Sequence, residues 1–213
     1  MNILILGAAG QIPRYLIPML LAQTDADLYL FARNAQQRIP LIDTSRETRI
    51  DGDITDIAAL TEAMRGMDGV YVDPVVKSEL AKPIIDSMKR AGVKRVIVNS
   101  ILGIYGEVPG QFGEWNRHMI GDVSIAERTE AARLFEESGL DYTLLRLSWF
   151  YDQPGNTRYK LTKKGEPFEG AQITRQAIAQ LVIDILNDTT GQYIGQSLGV
   201  GEPNTNFDKP SFY

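Results

Sequence analysis

Apolar residues are distributed along this chain in two alternating patterns: short unbroken runs, and longer stretches in which they recur at helical spacing. Asn2 to Leu6 is a short apolar run closed by Gly7, as expected of a strand buried on both faces of a parallel sheet. From about Gln11 to Gln23, Leu16, Met19 and Leu20 mark one face of a helix, and Asp27 to Ala32 reads as the next strand, ending before the polar cluster Arg33 to Arg38. The alternation continues with a strand near Thr48 to Ile50, a helix near Ile57 to Met64, a strand at Gly69 to Val72, a helix near Ser78 to Ala91 and a strand at Val93 to Ser100. A long loop follows, then a helix near Val123 to Ser138, a strand from Tyr142 to Arg146, and a last helix from Ile173 to Asn187 with Thr174 as its N-cap. Such regular alternation predicts an α/β fold with a doubly wound, mostly parallel sheet and helices on both faces. No repeat, low-complexity tract or linker interrupts it, so residues 1–213 are expected to form one domain, with the chain from about 147 onward contributing a small substrate-side region.

Composition narrows the chemistry. Apolar residues make up 44% and charged residues 23%, ordinary for a globular chain, and 22 Lys and Arg against 27 Asp and Glu give a net charge of -5. That balance points away from nucleic acid and anionic membranes and toward small-molecule partners. The absence of cysteine excludes thiolate chemistry, and a single histidine, His118, excludes a His-rich zinc site. Asp51, Asp53 and Glu62 have calcium-loop-like offsets, but Asp56 stands at the central glycine position, so no metal is expected. No apolar run approaches the roughly 18 residues of a membrane span, and a strand follows Met1 almost directly, leaving no room for a secretory leader; the expected location is the cytoplasm.

The turn between the first strand and its helix reads Gly7-Ala8-Ala9-Gly10-Gln11-Ile12-Pro13. Gly7 permits a tight exit from the strand, and Gly10 lets the helix N-terminus approach a pyrophosphate that its free N–H groups can bind. Gly7, Ala9, Gly10, Gln11 and Ile12 are therefore candidate cofactor contacts.

Together with Gly52-Asp53-Ile54-Thr55-Asp56, Val93-Lys94-Arg95-Val96-Ile97-Val98-Asn99-Ser100 and Ser138-Gly139-Leu140-Asp141-Tyr142-Thr143-Leu144-Leu145-Arg146, this turn makes most of the chain resemble the short-chain dehydrogenase/reductase superfamily. The resemblance is to its atypical, NmrA-like and epimerase-like NAD(P)H-binding branch. It implies a Rossmann fold, assigns Asp53 and Ile54 to the adenine, and places the backbone at Asp73-Pro74 against the cofactor ribose, with Asp73 either contacting the ribose or capping the turn. The family's third glycine is replaced by Pro13, tolerated in a first helical turn. Ser100 matches the superfamily's substrate-orienting serine. The positions of its catalytic Tyr and Lys fall on Ser124 and Arg128; Arg128 can still hold ribose hydroxyls, but the usual proton donor is missing. Tyr105 and His118, in the long loop, are the substitutes within reach.

Cofactor choice is read at the end of the second strand. An NAD-specific protein places an acid there; this chain has Ala32 followed by Arg33, with Arg38 nearby, which favours NADP(H) over NAD(H). The same missing acid disfavours S-adenosylmethionine. The aromatics of the long loop, Phe112 and Trp115, together with Trp149 and Phe150, suit either a flat acceptor such as a quinone or flavin or a subunit contact, which leaves a homodimer or protein partner open. The two functional readings are an NADP(H)-dependent oxidoreductase acting on an unidentified small acceptor, and a non-catalytic dinucleotide-binding redox sensor.

Overall fold

The computed structural model describes residues 1–213. The chain runs β1 (Asn2–Leu6), α1 (Pro13–Gln23), β2 (Asp27–Ala32), α2 (Ala35–Arg38), β3 (Glu47–Asp51), α3 (Ile57–Met64), β4 (Gly69–Val72), α4 (Ser78–Ala91), β5 (Arg95–Ile101), α5 (Gly110–Ile120), α6 (Asp122–Glu136), β6 (Asp141–Leu147), β7 (Trp149–Tyr151), β8 (Lys160–Thr162), β9 (Gln172–Thr174), α7 (Arg175–Leu186) and β10 (Gln196–Gly201). Each element expected from the apolar pattern is present, with shifts of a few residues at the ends. An eight-stranded sheet has the order β3-β2-β1-β4-β5-β6-β10-β8, parallel throughout except for the antiparallel β8, and β7 pairs with β9 in a small second sheet. This is the mostly parallel, Rossmann-like α/β fold.

Both faces of the sheet are covered. On one, Leu16 and Leu20 of α1 and Ile178 and Leu181 of α7 pack on Ile3, Ile5, Leu28 and Leu30; on the other, Leu60 of α3, Ile84 of α4 and Phe135 of α6 pack on Leu4, Leu6, Val70 and Val96. Because successive residues of a strand face opposite sides, strands buried on both faces need the continuous apolar runs that this chain has. Local signals fix where the helices begin. The Asp56 carboxylate accepts from the N–H groups of Ala58 and Ala59 at the start of α3, Thr174 caps α7 through the N–H of Ala177, and Pro13 opens α1, where a missing N–H costs nothing.

The stretch after β5 differs from the expected long loop, because residues Gly110–Ile120 form α5. Phe112 is buried with Leu102, Phe168 and Ala171; Trp115 stacks near Phe112 and meets the Trp149 ring at 4.8 Å, and the Trp149 indole donates to Asn116 Oδ1. These aromatics thus hold α5 to β7 and to the segments around Leu102 and Phe168. No helix is long and apolar enough to cross a membrane.

Strand order reverses at β1, which has β2 on one side and β4 on the other. Crossovers leave this point in opposite directions and open a crevice at the carboxyl ends of the strands, where ligands of such sheets bind.

Candidate functional site

That crevice is a cleft of about 540 Å³, lined by the β1–α1 turn, the ends of β2 to β4, and Leu80 of α4. It brings together Gly7, Ala9, Gly10, Arg33, Asp53, Ile54 and Asp73, residues separated by up to a third of the chain.

The turn is set by backbone. Gly7 has φ +81° and, with Ala8, donates its N–H to the carbonyl of Phe31 on β2, while Gly10 donates back to the Gly7 carbonyl. The N–H groups of Ala9, Gln11 and Ile12 find no acceptor in the protein. Three unpaired donors at a helix N-terminus form a site for an anion. A side chain would close it: a methyl group at Gly10 would lie 2.1 Å from Asp73 Oδ2. Ile12 itself is buried in the core, and the Gln11 side chain turns aside to accept from Arg175 Nε.

Arg33 is presented by a device that the sequence did not announce. The Asp51 carboxylate, at the end of β3, accepts from the N–H groups of Asn34 and Ala35, holding Asn34 in the left-handed region at φ 55° and turning the chain sharply after Arg33. The exposed Arg33 guanidinium stands 3.9 Å from Asp53, a weak pair that leaves it available, and Arg38 donates to the Arg33 carbonyl while lining the same cleft. Asp53 is folded on itself. Its carboxylate accepts from the N–H and hydroxyl of Thr55, which hold its pKa below the usual carboxylate range, with a smaller contribution from Arg33.

Asp73 has the opposite environment. Burial pushes its carboxyl up to about 7, opposed only by a 3.3 Å hydrogen bond from the Tyr71 hydroxyl. Asn99 of β5 donates to that hydroxyl at 2.7 Å and to the Asp73 carbonyl at 3.0 Å.

The remaining candidates lie outside the lining of this cleft. Ser100 is buried near the end of β5. Arg128, on α6, donates to the Ser124 carbonyl one turn back and lies 3.5 Å from Glu127. The Tyr105 hydroxyl hydrogen-bonds Glu136 at 2.6 Å and Ser197 at 3.1 Å, and the Arg146 guanidinium and Lys164 ammonium lie 5.3 Å and 4.3 Å from its ring centre. Burial and the Glu136 carboxylate push its pKa up, the wrong direction for a proton donor near neutrality. His118 is exposed on α5, and Trp149 belongs to the aromatic cluster. Phe150 lies under the Arg175 guanidinium, which is 5.7 Å from its ring centre.

Comparison with known proteins agrees with this architecture. A family model described as NAD(P)H-binding matches residues 7–189. The crystal structure of a short-chain dehydrogenase/reductase from Veillonella parvula DSM 2008 in complex with NADP is 36% identical, with a TM-score of 0.94 and coverage of 99% of both chains. The uncharacterized sugar epimerase YhfK of Bacillus subtilis is 24% identical over 200 residues, 88% of this chain and 89% of that one. Quinone oxidoreductase 2 of Escherichia coli is 28% identical over 155 residues, 70% of this chain and 49% of that protein, so the chain spans about half of its length. With its Gly-rich turn, its strand order and a match over most of its length, this chain belongs to the NAD(P)H-binding family of Rossmann-fold proteins, among the short-chain dehydrogenases/reductases.

Proposed function

We propose that this protein is an NADP(H)-dependent oxidoreductase acting on a small acceptor of the quinone or flavin type. The carrying observation is the cation pair at the end of β2: Arg33 and Arg38 line the cleft where an NAD-specific protein places an acid, and Ala32 stands in that acid's place. A dinucleotide fits the donor set of the cleft. The free N–H groups of Ala9, Gln11 and Ile12 would hold its pyrophosphate, Asp53 and Ile54 its adenine, and Arg33 its 2′-phosphate. The bound cofactor would supply a hydride. An acceptor that takes up a hydride without an enzyme proton donor suits a site in which Ser124 and Arg128 replace the usual Tyr and Lys and Tyr105 is held by Glu136. The NADP complex of the Veillonella relative and the quinone oxidoreductase relative support this reading.

The missing donor also favours a second reading, a dinucleotide-binding redox sensor without turnover. An acceptor screen with NADPH over quinones, flavins and carbonyls separates the two: oxidation above background with any of them supports the enzyme, and binding without oxidation supports the sensor.

The cofactor preference is tested by titrating NADPH and NADH at one ionic strength. A charge-assisted bond contributes about 1.5–3 kcal/mol, so NADPH is expected to bind about ten- to a hundredfold more tightly. Arg33→Ala should erase most of that margin. Equal affinities in the unmodified protein would defeat the assignment.

A further inference from the structure

The cleft contains an acid in an unfavourable place for an anion-binding site. Asp73 closes β4 directly against the Gly-rich turn, and its Oδ2 lies so close to Gly10 that a methyl group there would overlap it at 2.1 Å. No cation answers it. Arg33 is turned toward Asp53, Lys77 before α4 is paired with Glu127 at 3.1 Å, and Arg128 is engaged with Ser124 and Glu127. Its only side-chain partner is the Tyr71 hydroxyl, itself fixed by Asn99. A pyrophosphate seated on the N–H groups of Ala9, Gln11 and Ile12 would bring further negative charge against this carboxyl, in a setting where burial weakens the screening by water.

We infer that Asp73 is neutral in the dinucleotide-bound protein, so that cofactor uptake draws a proton from solvent onto its carboxyl and affinity falls as the solution becomes alkaline. The inference rests on the dinucleotide reading of the cleft and adds to it a proton-linked control of occupancy. Geometry identifies Asp73 as the responsive group. The other carboxylate lining the cleft, Asp53, is already ionised, held so by its hydrogen bonds from Thr55. Tyr71 is pushed well above the ordinary phenol range and stays neutral. The carboxyl of Asp73, near 7 before the ligand arrives, is the one that changes charge between pH 6 and 9.

The test is calorimetric titration of the whole protein with NADPH from pH 7 to 9, in pairs of buffers of different ionisation enthalpy. The 2′-phosphate has a second pKa of about 6 and is ionised over this range; NADH, which lacks it, serves as the control. With Asp73 near 7 in the free protein, the Kd for either cofactor should rise by about fiftyfold between pH 7 and 9, with uptake of about 0.9 proton per ligand at pH 8. Asp73→Asn should bind with less than about threefold change over the same range and with no buffer-dependent heat. Tight binding with a flat pH profile and no proton uptake in the unmodified protein overturns the inference and leaves the dinucleotide reading standing. Failure of both cofactors to bind at any pH overturns the inference and the dinucleotide reading together. The buffer comparison needs no variant, so a misfolded Asp73→Asn protein would not shield the inference.

Discussion

Asp73 loses most of its water on folding and gains in exchange one long hydrogen bond from a neutral hydroxyl. Its pKa rises from 3.8 in the unfolded chain to about 7 in the native one, so between these values the native state holds a proton that the unfolded state has released. Stability therefore falls as pH rises from about 4 to 7, and the full penalty persists above 7. Asp73→Asn keeps an acceptor for Tyr71 without the charge. It should match the unmodified protein near pH 4 and exceed it by a few kcal/mol at pH 8; urea midpoints of the cofactor-free protein at the two pH values check this, and an unstabilised variant at pH 8 would show that the carboxylate is not strained. At this scale the cleft was legible wherever local sequence sets the contact. Gly7, Gly10, Arg33, Asp53, Ile54 and Asp73 all line it, because a strand end, a turn and a helix start determine where each points. Asp51 and the Tyr71 to Asn99 link were not legible, since each partner comes from another strand. Nor was the burial of the Tyr105 hydroxyl, whose partners Glu136 and Ser197 lie 31 and 92 residues away.

Elements with continuous apolar runs or a cap were readable from the chain, and those held only by tertiary contact were not. Helix α5 begins at Gly110, contains Gly113 and has no side-chain cap, so its propensity is poor; packing of Phe112 and Trp115 against Leu102, Phe168 and Trp149 supplies what propensity does not. Strand β10, Gln-Ser-Leu-Gly-Val-Gly, lacks the β-branched run of the other strands. Its glycines are there because other elements come close: a methyl group at Gly199 would lie 2.3 Å from Thr162 Oγ1, and one at Gly201 would lie 2.1 Å from the Glu169 carbonyl oxygen. The two kinds of element should respond differently to substitution. Asp56→Ala removes a cap that serves two N–H groups and is expected to cost about 1 kcal/mol, by the usual range for such caps. Trp149→Ala opens a hole under α5 and frees Asn116, and is expected to cost about 3–5 kcal/mol. Denaturant midpoints of the two variants measure both, and a smaller loss for Trp149→Ala than for Asp56→Ala would contradict the view that α5 depends on packing.

Across the whole molecule, the sheet has a binding half and a bracing half. The cleft is built on β1 to β4, whereas the far side, β6-β10-β8, is cross-linked through Arg146. This arginine is fully buried and bonds the Glu107 carboxylate at 2.6 Å and the carbonyls of Thr162 and Ser197 at 3.2 Å each. It thereby joins the connection after β5 to β8 and β10. A buried pair of this kind gives little net stability relative to apolar packing, but removing one partner strands the other charge. Glu107→Gln should therefore cost about 3–5 kcal/mol. Because the lesion lies outside the cleft, it should leave cofactor binding intact. NADPH at about a hundred times the Kd of the unmodified protein stabilises that protein by about 2.7 kcal/mol, and the same increment is expected in Glu107→Gln at that same NADPH concentration. Equilibrium unfolding of both proteins with and without NADPH separates the two terms. A variant that is less stable yet gains the full increment would confirm that the bracing half supports the fold without shaping the cleft, whereas a reduced increment would mean that the Arg146 link reaches across the sheet to the turn at Gly7 and Gly10.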